Sequence, residues 1–150
     1  MTEDEVMRSR AFADDAIAYF WAAKKVLAGE TIPGIIAVYR MPANFLLAQC
    51  CELVLKTLLA SLGWTEDRWV KAKIGHDLLG LVDALNDEKY PLDTEFVKYC
   101  EIMGPAHKIH HFRYPGRKGL TFVDPRKALT MIDPQVRAIA HLGLIELPDA

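Results

Sequence analysis

Three features of the sequence predict an all-α fold, an up-and-down bundle of four to five helices forming one domain over residues 1–150. Apolar residues recur at helical spacing in most segments. The stretch from Ala43 to Leu62 is apolar in nearly every direction around a helix axis, as expected of a helix at the centre of a bundle. Cap and stop residues stand at the boundaries that this periodicity marks. With 150 residues, 51% of them apolar and 25% charged, the chain can bury roughly 70% of its unfolded surface without disulfide staples. That composition excludes a disordered chain.

The first helix is predicted over residues 3–28. Thr2 and Glu5 fit a capping box, and Gly29 fits the stop. Ile17, Phe20, Trp21 and Lys24 share one side. Pro33 and Gly34 lead into Ile35–Val38, which reads equally as a short strand or a helical turn. Pro42 suits the first turn of a second helix, where its missing N–H is harmless, and that helix runs from Ala43 to a stop at Gly63. Gln49, Glu52 and Lys56 fall within a roughly 60° arc at about 100° per residue, so one polar line runs along this apolar rod. Residues 64–73 form a polar connection, with a helical turn after Thr65. A third helix begins near Gly75–His76–Asp77 and carries Leu78, Leu79, Leu81, Val82 and Leu85. A fourth, introduced by Pro91 and Asp93 or Thr94, turns Phe96, Val97, Cys100 and Met103 inward and ends at Gly104–Pro105. Asp124–Pro125 and Asp133–Pro134 each match an N-cap followed by proline, which predicts two short final helices ending near Gly143.

Cys50, Cys51 and Cys100 are odd in number and lack a C-x-x-C spacing, so they read as reduced, buried thiols of a cytoplasmic protein. The acidic start at Thr2–Glu5 is unlike a signal peptide, and no run of 18 residues free of charge suggests a membrane span. The formal net charge of −2 is unevenly spread. From Pro105 to Lys127 six basic residues face one acid, Asp124. Such a basic patch on an acidic body points to an anionic partner docked at one place.

Three constellations can carry chemistry. Glu52 and Lys56, at i and i+4 with the glutamate first, suit a salt bridge, either in a solvated seam or facing a partly enclosed site. Gly75–His76–Asp77–Leu78 places a histidine and an aspartate at a helix start. There the dipole stabilises Asp77 and favours a neutral His76 able to shuttle a proton, or else the pair simply caps and packs. Finally, His107, His110 and His111 could share one side of a helical turn as metal ligands, although no acid or cysteine completes a familiar site. The same stretch offers Arg113 for phosphate, Tyr114 for stacking, and Arg117 and Lys118 on a Gly-flanked basic turn, or else a solvated loop. No P-loop, dinucleotide-binding glycine pattern, G-x-S-x-G or H-E-x-x-H occurs.

In order, Phe45–Leu46–Leu47–Ala48 with Glu52 and Lys56, then Gly63, then Gly75–His76–Asp77–Leu78, then Arg113–Tyr114–Pro115 resembles the HEPN superfamily (higher eukaryotes and prokaryotes nucleotide-binding domains). The resemblance spans residues 40–116 and is closest to small bacterial members. It implies a helical bundle, often dimeric, that binds nucleotides or RNA or cleaves RNA without metal, commonly in toxin–antitoxin or defence systems. On it, Glu52, Lys56, His76, Asp77, Arg113, Tyr114, Arg117 and Lys118 form the ligand site. No cofactor is expected. The nuclease branch needs an arginine and a histidine separated by four to six residues. Here seven residues separate Arg68 from His76 and three separate Arg137 from His141, while Lys71 does not replace an arginine fork. The expectation is therefore binding without robust ribonuclease activity, with His76 or His141 as the candidate acid or base if cleavage occurs. An interaction subunit with an antitoxin-like or other acidic protein partner is the alternative. Phe20, Trp21 and the apolar excess of the helices predict a homodimer.

Overall fold

In the computed structural model, residues 2–29, 36–110 and 120–145 are described, the side chains of residues 36–40 excepted. Among them are six α-helices and no strand: α1 (Glu3–Ala28), α2 (Ile36–Ser61), α3 (Glu66–Lys71), α4 (Leu78–Asp87), α5 (Thr94–Lys108) and α6 (Pro125–Ile139), followed by a 3-10 turn at Ala140–Leu142. The all-helical class agrees with the sequence. The helix count exceeds the four to five predicted: the turn after Thr65 is a helix in its own right, while the two final helices are one.

α2 is the axis of the bundle. It packs along α1 and also touches α4, α5 and α6. Leu47, Leu55, Leu58 and Leu59 are fully buried, each burial worth about 1.5–3 kcal/mol. Its Met41–Ser61 segment is long and apolar enough by composition to cross a membrane, yet most of that segment is enclosed by the neighbouring helices. The predicted capping box on α1 is present, with Thr2 accepting from the Glu5 N–H and donating its own N–H to Glu5. Ile17 and Phe20 from the predicted inner side are buried, while Lys24 lies over the Phe20 ring at 5.6 Å. Cys50, Cys51 and Cys100 are free and buried, as expected.

Three boundaries differ from the sequence reading, all at prolines. α2 begins at Ile36, so Ile36–Val38 is helical and Pro42 lies inside the helix. Proline already has helical φ, and in passing through it the helix loses one ladder bond. α5 continues through Gly104–Pro105 to Lys108, because Ala106 and His107 in its last turn are buried. α6 is one helix: Asp124 caps it by accepting from the Arg126 N–H, and a buried stripe of Ala128, Met131, Ile132, Val136 and Ile139 runs past Pro134. Asp133 pairs with Arg137 at 2.7 Å and starts no second helix.

Four of the helices, α2 to α5, are closed by residues in the left-handed region. Gly63 (φ 88) does this after α2, and Lys73 (φ 59), Lys89 (φ 59) and His110 (φ 56) do it after α3, α4 and α5. After α3 the Ile74 N–H reaches the Trp69 carbonyl and the Lys73 N–H the Val70 carbonyl, both at 3.0 Å. This is the Schellman closure, with lysine where glycine is usual.

A candidate anion site around a buried glutamate

Glu52 stands midway along α2 and is 1% exposed. A lone carboxylate there would be costly, but three side chains converge on it. His107 Nε2, from the last turn of α5, lies 2.6 Å from Oε2. Lys56 Nζ, one turn along α2, lies 2.7 Å from Oε1. His76 Nδ1, from the connection between α3 and α4, lies 3.2 and 3.3 Å from the two oxygens. Burial pushes the Glu52 pKa up, but hydrogen bonds from His107 and Lys56, with the charges behind them, outweigh it and hold the group at about 2. An ionised carboxylate only accepts hydrogen bonds. The facing nitrogens, Nδ1 of His76 and Nε2 of His107, must therefore carry the protons, which leaves Nε2 of His76 to face outward.

On that outer side lies a cavity of about 360 Å³ lined by Val70, Lys73, Gly75, His76, Asp77, Lys108 and His110. The His110 ring meets the His76 ring edge to face, with centroids 5.6 Å apart. Asp77 occupies the N-cap position of α4 but its side chain makes no capping bond. It accepts instead from Lys108 Nζ at 3.2 Å. Two lysines against one aspartate leave the lining cationic even with both imidazoles neutral.

The residues named from sequence thus divide. Glu52, Lys56, His76 and Asp77 come together. His76 and Asp77 line the cavity, Glu52 supports His76 from beneath, and Lys56 backs Glu52 with its ammonium 5.7 Å over the Trp69 ring. A solvated Glu52–Lys56 seam is excluded by the burial of Glu52. Arg113, Tyr114, Arg117, Lys118 and His111 lie outside the described residues. His107 and His110 do not face a common centre, as one is inside on Glu52 and the other is at the cavity, and among the described residues no group of three potential ligands could hold a metal. Arg68 points elsewhere. It lies over the Trp64 ring at 3.8 Å, pairs with Glu88 at 3.3 Å and lines a separate cavity of about 520 Å³. His141 is exposed on the 3-10 turn.

Sequence reasoning missed the carboxylate-binding role of His107 and the cavity positions of Lys73, Lys108 and His110. One signal was present: Phe96, Cys100, Met103 and His107 continue a single helical stripe straight through Gly104–Pro105. Lys73 and His110 gave none, because each follows a helix end whose direction is set by tertiary packing. No known protein family, curated protein or solved structure matches the chain.

Proposed function

We propose that this chain is a phosphate-binding helical module, related to the HEPN superfamily, whose ligand is a nucleotide or an RNA phosphate. The observation that carries this reading is the cavity beside Glu52, where Lys73, Lys108, His76 and His110 present cations and ring nitrogens to one space. Its volume of about 360 Å³ lies in the range of small-molecule sites, roughly 300–1,000 Å³. That suits a phosphate with an attached sugar. His76 is held by a buried carboxylate, so its outward nitrogen is preset. In sequence, His110 is followed directly by the basic run that includes Arg113, Arg117 and Lys118, which adds attraction for a polyanion.

Fluorescence anisotropy with a 5′-labelled single-stranded oligoribonucleotide tests the reading. The wild-type affinity is expected to fall steadily with added salt. Lys108→Ala, and the triple change of Arg113, Arg117 and Lys118 to alanine, should each weaken binding about tenfold, since 1.4 kcal/mol is a factor of ten. Absence of binding at low salt, or salt-independent binding, overturns it.

A second reading, metal-independent RNA cleavage, is favoured by one feature, the Glu52–His76 pair with a second imidazole at 5.6 Å. Such a pair can take and give protons at one phosphate. No arginine is among the described residues of the cavity lining, so binding without robust cleavage remains the reading adopted. RNA cleavage in EDTA that disappears in His76→Ala would reverse that order.

A further inference from the structure

The helix ends around the cavity carry an unusual choice of residue. Lys73 and His110 both follow a helix and both take the left-handed conformation, φ 59 and 56. A side chain there is strained, and glycine is the residue that fits without strain. The chain uses glycine in this role after α2, at Gly63 with φ 88. Lysines within a last helical turn, such as Lys71 and Lys108, keep helical backbone and gain from the dipole. Lys73 and His110 stand one step further out, where a cation gains less and the backbone strain is added. Both side chains line the same cavity, from two different helices. Lys89 adopts the same strained geometry after α4 and is not in that lining, so it serves as an internal control.

We infer that Lys73 and His110 are the direct anion contacts of the site, and that the fold holds strained backbone at both in order to present their side chains. The inference rests on the phosphate-binding reading and assigns its contact residues. Lys73 supplies a fixed cation. His110 supplies a ring that also buttresses His76, so the preset Nε2 of His76 and the ring of His110 meet one ligand together.

The experiment compares Lys73→Gly, His110→Gly, Lys89→Gly and Lys73→Arg in the full chain. It measures thermal midpoint and affinity for two probes, the labelled oligoribonucleotide and inorganic pyrophosphate as its competitor. Lys73→Gly and His110→Gly should each raise the midpoint by about 2–4 °C, the effect of relieving one strained residue in a chain of this size. Each should also bind both probes about tenfold more weakly. Lys89→Gly should gain the same stability and bind as wild type. Lys73→Arg should keep affinity without the stability gain. If the two glycine variants at the cavity bind like wild type, the inference falls and the phosphate reading stands. If their midpoints drop together with affinity, the residues are structural and the inference falls. If wild type binds neither probe, the phosphate reading itself falls and takes the inference with it.

Discussion

A carboxylate at 1% exposure must find every hydrogen bond inside the protein, and Glu52 finds them from three directions. Removing the carboxylate leaves Lys56 and His107 without their acceptor in a largely buried place, which costs more than the cluster contributes as a whole. Glu52→Gln is expected to destabilise the fold by on the order of 3 kcal/mol at neutral pH. The sign of the pH dependence follows from the depressed pKa of about 2 against the ordinary 4.5. As pH falls below 4.5 the unfolded chain takes up a proton at Glu52 before the folded chain does, so the Glu52 contribution is complete above that pH and is lost on the way down to about 2. Urea titrations at neutral pH and near pH 2.5 check this. The gap between wild type and Glu52→Gln should narrow at the lower pH, and a constant gap would show that the carboxylate is not held ionised by its partners.

Among the elements, the two glycines within α4 and α5 separate close approach from simple tolerance. A Cβ on Gly80 would stand 2.5 Å from Cγ2 of Ile74 and 3.1 Å from Oδ2 of Asp77. The bare backbone there lets the connection carrying His76 lie against α4. Gly80→Ala should cost about 1–3 kcal/mol through overpacking and shift His76 from Glu52. A Cβ on Gly104 would meet Leu79 Cγ and Leu78 Cβ at 3.5 and 3.7 Å, ordinary contacts. Gly104→Ala should therefore stabilise α5 by about 0.5–1 kcal/mol. Denaturation midpoints moving in opposite directions for the two variants would support this account; equal losses would show that Gly104 is also a close-approach position. α5 also shows how an element serves the site. Its last turn crosses Gly104–Pro105 to bring His107 onto Glu52, and its closing residue brings His110 to the cavity.

At the scale of the molecule, the proposed dimer cannot rest on Phe20 and can rest on Trp21 only in part. Phe20 is buried and Trp21 is half-buried, packed against the core. Among the described residues, the exposed large apolar side chains are Met7, Leu62, Val70, Ile109, Leu144 and Ile145. Leu144 and Ile145 are pinned, their N–H groups donating to Asp14 Oδ1 at 2.6 and 2.9 Å, so their side chains are presented in a fixed place. Light scattering at micromolar concentration is expected to give about twice 16.9 kDa, and a monomer mass would remove the dimer.

The sequence by itself determined the helical class, the central place of α2, the capping of α1 and α6, and the burial of the three cysteines. These follow from local periodicity, cap chemistry and apolar content, each read within a few residues. It also brought Glu52, Lys56, His76 and Asp77 to notice, through an i, i+4 pair and a helix-start cluster. Only the tertiary structure decided that helices run through Pro42, Pro105 and Pro134; around Pro105 and Pro134 burial of the flanking turns outweighs one lost ladder bond. Only it decided that Glu52 is buried, since a polar residue on an apolar helix can face solvent or a neighbour with the same periodicity. And only it brought His110 to the cavity, because the direction of a side chain beyond a helix end is fixed by what packs against that end, here the His76 connection, whereas His107, within α5, continues the inward stripe of Phe96, Cys100 and Met103.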